Sequence, residues 1–198
     1  MNTTPRRGYL TWAAFLGTSL LCISVVAAKP SLPPGEEEKI DMPIILYSPS
    51  FKHDGVIPSR HTCDGLNISP LLKWTDIPAG TKSLALIVDD PDAPDPGAPK
   101  MTWVHWVVYN IPPDTIGLPE TISAEGLPPG ALQGLNDWQH AGYEGPCPPI
   151  GKHRYFFKLY ALNTLLPDLK LPTKTALEKA MKGHVIAHSE LVGLYQRK

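Results

Sequence analysis

Three clusters of titratable residues stand where proline-rich loops meet strand-forming runs. They are Asp89-Asp90-Pro91-Asp92-Ala93-Pro94, then Trp103-Val104-His105-Trp106, then Gly145-Pro146-Cys147-Pro148-Pro149 leading into His153-Arg154-Tyr155. Together they supply carboxylates, two imidazoles, a phenol and a glycine-containing loop, a set suited to a small polar or anionic ligand. The set names no reaction by itself.

Each cluster also has a plain structural reading. Asp beside Pro commonly shapes a turn through its own backbone, and a lone histidine on a buried strand is usually a satisfied core residue. Pro91 holds Asp90 extended and lacks the N–H that would continue a ladder, which places this carboxylate at a strand end. His105 alternates with Trp103 and Val107, so the three are expected on one strand face. His153 and Tyr155, two apart, share a face, while Arg154 points away to an expected structural salt bridge. Asp89 and Asp95 are expected in solvent. If the loop at 145–151 cradles an anion, its three prolines leave the amides of Gly145, Cys147, Ile150 and Gly151 to do it.

In order and spacing these segments, with Thr62-Cys63-Asp64-Gly65, Asn67-Ile68-Ser69-Pro70 and Gly183-His184-Val185, closely resemble the phosphatidylethanolamine-binding protein family. The likeness is to its bacterial and archaeal branch, often called Raf-kinase-inhibitor-like proteins, and it covers residues 47–195. It implies a mainly β fold: a Greek-key sandwich of antiparallel and mixed sheets with a few peripheral helices. It also implies a ligand pocket formed by Asp90, Asp92, His105, Gly145, Pro146, His153 and Tyr155, the last donating to a phosphate or carboxylate oxygen. The resemblance tips Asp90 from turn to pocket and leaves Asp92 balanced between the two. Carboxylates beside a bound phosphate repel it. Binding is therefore expected to take up a proton, on His105, on His153 or between carboxylate and ligand, and to strengthen as pH falls from neutral.

The elements that must position these groups are short apolar runs between prolines and glycines, the pattern of a β-dominated domain. Residues 84–88, 104–109 and 155–162 are apolar on both faces or nearly so and should form central strands with a layer covering each side. A helix is expected at 175–182 from the capping-box spacing of Thr175 and Glu178, the apolar Leu177, Ala180 and Met181, and the stop at Gly183. Residues 184–195 fit a last strand. With 198 residues, the chain suits one well-buried domain, assigned to 44–198.

Residues 1–28 read as a secretory signal: Arg6 and Arg7 precede an apolar stretch at 10–26, and Val26-Ala27-Ala28 offers a cleavage site after about Ala28. An uncleaved anchor is the rival reading, since the stretch is only slightly shorter than the roughly 20 residues a span needs. Residues 29–43 form a leader rich in proline and glutamate. Cleavage would leave 16 basic against 19 acidic residues, a net −3, with no basic stripe for nucleic acid. It would also remove Cys22 and leave Cys63 and Cys147 as a pair in an oxidising compartment, periplasmic or extracellular, where a disulfide is expected. A zinc site from these cysteines and His61 is the weaker reading, for want of a close-spaced ligand pair.

The functional expectation is an exported, non-catalytic protein that holds a small anion or phosphorylated headgroup and engages a protein partner. No metal or cofactor is invoked, stable membrane insertion after cleavage is not expected, and the oligomeric state, a homodimer included, stays open. Two alternatives are an inhibitor of a protease or kinase acting by surface contact, and a weak hydrolase using a His/Asp pair. Against the hydrolase, Ser69 lacks a nucleophile-elbow context.

Overall fold

The structure, a computed structural model, describes residues 44–121 and 126–198. The signal and leader expected at 1–28 and 29–43 lie outside the described residues. In chain order the elements are β1 (Ile45–Tyr47), β2 (Gly55–Val56), β3 (Leu72–Thr75), β4 (Ser83–Ala93), β5 (Met101–Ile111), β6 (Gly117–Leu118), β7 (Leu132–Gln133), β8 (His153–Leu162), α1 (Lys174–Met181) and β9 (Val185–Tyr195). They form a small sheet, β1-β3-β6, and a large one, β2-β9-β8-β4-β5-β7. All pairings are antiparallel except β2 with β9. The sheet arrangement is thus mixed, as expected. Pairing of β4 with β8 sets the β4–β5 and β8–β9 hairpins side by side.

The three apolar runs are the centre of the large sheet, and both of its faces are covered. Leu84, Leu86 and Val88 of β4 pack with Trp106, Val108, Phe157 and Leu159 against Leu46, Leu72 and Trp74 of the small sheet. On the opposite face Ala85, Ile87, Val107 and Tyr109 pack under Leu177 and Met181 of α1. Full burial of a Leu, Ile or Phe side chain stabilises by about 1.5 to 3 kcal/mol, so this two-sided packing rigidly fixes the strand ends. The end where β4 stops and β5 and β8 begin carries Asp90, Trp103, His105, His153 and Tyr155.

Three local expectations are corrected. The helix begins one residue early, because the hydroxyl of Thr173, not Thr175, accepts from the Ala176 amide at 3.3 Å. Glu178 instead faces Lys174 one turn back, at 3.7 Å. Gly183, at φ +82°, ends the helix in the left-handed conformation expected of it. Strand β4 does not end at Asp90. The ladder slips in register across Pro91, which has no N–H to give, and resumes where Ala93 pairs with Met101.

The third correction concerns β5. Val88 pairs with Trp106 but the next residue, Asp89, pairs with Val104, so His105 is the extra residue of a β-bulge. Alternation fails there. Trp103 and His105 both line the cavity described below, while Val107 belongs to the opposite core.

Candidate functional site

A cavity of about 320 Å³ opens at this strand end, floored by Asp90, His105, His153 and Tyr155 and walled by Trp103, Trp138, Met101, Pro94 and the Cys147-Pro148-Pro149 turn. All four floor residues are buried. Among the described residues no cluster of three or more His, Cys, Asp or Glu side chains is arranged to hold a metal.

Asp90 and His153 form a closed pair. His153 Nδ1 lies 2.7 Å from Asp90 Oδ2, and its Nε2 lies 2.9 Å from the Ile150 carbonyl oxygen. Both ring nitrogens face acceptors, so Nε2 donates to Ile150 and one further proton is shared between Nδ1 and the carboxyl. The second oxygen of Asp90 accepts from the Asp92 amide at 2.8 Å. Burial pushes the Asp90 pKa up, against the opposing effect of His153.

His105 is held differently. Its Nδ1 lies 2.6 Å from the Glu144 carbonyl oxygen, to which it must donate. Burial lowers its pKa to about 4, so the ring is neutral at pH 7 with Nε2 a bare acceptor. The ring packs edge-on against Tyr155 at 5.2 Å and Trp138 at 5.2 Å. Burial, reinforced by the Asp90 charge, raises the Tyr155 pKa, so the phenol keeps its proton. Three polar atoms among these lining residues are buried without a hydrogen bond of ordinary geometry: His105 Nε2, Trp103 Nε1 and Tyr155 Oη, the last turned toward the Asp90 carboxyl.

The segment that docks on His105 is built by two asparagines. Asn67, in the left-handed conformation at φ +55°, accepts from the Gly145 amide at 2.7 Å and donates to the Glu144 carboxylate at 2.5 Å. That fixes the carbonyl to which His105 donates. Asn136 accepts from the Trp138 and His140 amides and donates to the Gly142 carbonyl, shaping the turn that presents Trp138. Asp137 then anchors this turn to β5 by accepting from the Val104 amide at 2.7 Å.

The expected site residues therefore part company. Asp90, His105, His153 and Tyr155 meet at the cavity, whereas Asp92, Gly145 and Pro146 are not among its lining. The carboxylate of Asp92 is gripped by Arg154, Nε to Oδ2 at 2.9 Å and Nη2 to Oδ1 at 2.7 Å, and this guanidinium holds its pKa below the usual range. That contact is the salt bridge expected of Arg154. The Gly145 amide is already committed to Asn67, and the Pro146 carbonyl accepts from the Cys63 amide at 3.1 Å. Gly145 answers a packing demand: a Cβ there would lie 2.3 Å from the His61 carbonyl oxygen.

Cys63 and Cys147 are joined by a disulfide across 84 residues, which removes the two thiolates a zinc site would need. Cys147 lines the cavity, so the bond ties one of its walls to the 3₁₀ turn region at 59–61. Asp89 is corrected. It is fully buried on the other face of β4, gripped by Lys158 at 2.9 Å and by Lys174 of α1. The residue missed altogether was Trp138. Its signal was a lone Trp in the polar run Asn136-Asp137-Trp138-Gln139-His140, an aromatic with no apolar neighbours to form a core.

The sequence profile described as phosphatidylethanolamine-binding protein matches residues 47–196. A UPF0098 protein of Methanothermobacter thermautotrophicus is 52% identical over 153 residues, covering 77% of this chain and 98% of the relative. Among solved structures, the phosphatidylethanolamine-binding protein homologue CT736 of Chlamydia trachomatis superposes with a TM-score of 0.72 at 42% identity, over 79% of this chain and 99% of the other. Escherichia coli YbcL, described as a member of the mammalian family, gives 0.71 at 35% identity over 79% and 100%.

Proposed function

This chain belongs to the phosphatidylethanolamine-binding protein family, and from that premise we propose that it is a non-catalytic binding protein for a small phosphorylated or otherwise anionic headgroup. The observation that carries this reading is the trio of unpartnered polar atoms, His105 Nε2, Tyr155 Oη and Trp103 Nε1, on residues lining one cavity. A buried polar group without a partner costs about 1 to 3 kcal/mol, and three on one cavity are best explained by a ligand that satisfies them. A binding role suits them better than catalysis: the cavity imidazole with a free nitrogen, His105, has no serine, cysteine or threonine hydrogen-bonded to it.

The test is calorimetric titration of the protein with phosphate and phosphoethanolamine at two pH values, beside His105→Ala. Saturable binding that weakens in the variant supports the reading, and heats of dilution alone at both pH values overturn it.

A second reading, that the occupied pocket engages a protein partner, is favoured by the cavity mouth. Met101, half exposed, and Trp138, at 40% exposure, form an apolar rim beside Ile150. Export with cleavage near Ala28 belongs to the same proposal and fits the exposed Cys63–Cys147 bond, since disulfides persist in oxidising compartments. A mature protein whose mass still includes residues 1–28 would count against it.

A further inference from the structure

The cavity's open hydrogen-bonding positions are two donors and one acceptor. Trp103 Nε1 can only donate, and Tyr155 Oη, protonated and turned toward the Asp90 carboxyl without a hydrogen bond of ordinary geometry, can swing its hydrogen to a ligand. The acceptor is His105 Nε2, because Nδ1 of the same ring is committed as a donor to Glu144 O. Asp90 offers no equally open position, since its two oxygens already meet His153 and the Asp92 amide. Neither lysine nor arginine lines the cavity, the nearest guanidinium in sequence, Arg154, being turned to Asp92.

From this pattern we infer that the pocket selects a tetrahedral oxyanion carrying its own O–H, as in hydrogen phosphate or a phosphomonoester monoanion, and that His105 is the residue which enforces the choice. The inference rests on the anion-pocket reading above and sharpens it. Such a ligand presents one hydrogen to Nε2 and bare oxygens to Trp103 and Tyr155. Sulfate near neutrality and phosphodiesters carry no O–H. They would set an oxygen lone pair against the bare nitrogen lone pair and leave it unsatisfied. A site built around one such bond rejects the analogue lacking it strongly, because the cost is a buried unpaired group as well as a lost contact.

The charged and titratable groups around His105 leave the neutral ring in place. From β4 it faces Asp89 behind the sheet and Asp90 in the cavity; from β8, His153 and the protonated Tyr155; from the 136–145 segment, the Trp138 ring and the Glu144 carbonyl, whose own carboxylate is turned to Asn67 and His140. Burial outweighs the Asp89 charge and the backbone carbonyls of Glu144 and Gly145, and holds the ring neutral. Asn67 is the positioning residue, since it fixes Glu144 and Gly145 and so the tautomer of His105.

The deciding experiment titrates the full-length protein with inorganic phosphate and with sulfate at pH 7.5, where both are present as dianions of one shape and differ in the O–H. Phosphate is expected to bind about 100-fold more tightly than sulfate. Methyl phosphate, titrated from pH 6 to 8, is expected to lose affinity by about tenfold per pH unit once its second proton, with a pKa near 6, is gone. Nitrogen NMR of the phosphate complex should show His105 still protonated only at Nδ1. In His105→Gln, whose amide offers a donor as well as an acceptor, the preference for phosphate over sulfate should shrink to about threefold or less. Should that variant not fold, the two anions on the unaltered protein still decide. Equal binding of sulfate and phosphate, a flat methyl phosphate profile or a doubly protonated His105 in the complex would each overturn the inference while leaving an anion pocket standing. Failure of every anion to bind would remove the pocket reading and this inference with it.

Discussion

Asp89 and Asp90 are adjacent in sequence and buried to nearly the same degree, yet they face opposite sides of β4 and opposite fates. On the α1 side Asp89 is held by two full cations, Lys158 from β8 and Lys174 from the helix. On the cavity side Asp90 meets only an imidazole with which it shares a proton, and the groups around it keep three polar atoms without partners. The first arrangement compensates a buried charge locally and closes it under a helix. The second leaves its hydrogen-bonding capacity open. A fold that sets two cations against one carboxylate and none against its neighbour has spent its lysines on structure and kept the cavity for something else.

The largest effect that would break this comparison is on the closed side. Replacing both lysines, Lys158→Met with Lys174→Met, leaves Asp89 charged and unpaired under α1. Breaking a buried pair from one side costs about 3 to 5 kcal/mol, so denaturant unfolding should show a loss of that size. Phosphate affinity at a temperature where the variant is folded should stay within about twofold. A loss under about 1 kcal/mol would mean that the lysines are not what compensates Asp89, and the two faces would no longer differ in kind.

Acid should weaken the fold through the open side. The His105 pKa falls from 6.5 to about 4 on folding, so between those values the unfolded chain binds a proton that the folded chain refuses. Its contribution to stability is therefore complete above pH 6.5 and lost as pH falls toward 4, by about 3 kcal/mol. His61, also lowered by burial, acts in the same direction, and Asp90, raised, acts in the opposite one. The quantity to measure is thus the difference between the stability profiles of the unaltered protein and His105→Gln over pH 4 to 7. A difference that stays constant across that range would show that the ring titrates normally and is hydrated.

The comparison also marks where sequence reasoning reaches its limit. The central strands were legible because runs such as Leu84-Ala85-Leu86-Ile87-Val88 are apolar on both faces, and a strand with two apolar faces must be covered twice. Asp90, His105, His153 and Tyr155 were legible because the spacing of whole segments matched a family. Asp89 looked solvated because its partners stand 69 and 85 residues away, on two other elements. Asp92 stayed balanced between turn and pocket for the same reason, since Arg154 is 62 residues off and only the folded register of β4 and β8 brings the two together. The bulge at His105 was hidden because a register slip is a property of two strands, and alternation along one strand carries no trace of it. Thr173 lost the cap to Thr175 on a motif that requires a glutamate three residues on. The real cap uses a hydroxyl alone.

The smallest change probes the open side most directly. Tyr155 is buried, and its hydroxyl is turned toward the Asp90 carboxyl without a hydrogen bond of ordinary geometry. In Tyr155→Phe the ring and its contacts with His105 and His153 are kept, while an unsatisfied polar atom is removed. Stability of the ligand-free protein should be unchanged or rise by about 1 kcal/mol, because the variant no longer buries an oxygen at a desolvation cost. Affinity for phosphate should drop by about tenfold, the share of one hydrogen bond to a charged group. A fall in ligand-free stability with affinity intact would show that the hydroxyl serves the fold as the lysines do on the other face. The cavity would then be closed in the same sense as the Asp89 site, and the case for a ligand would rest on His105 and Trp103 alone.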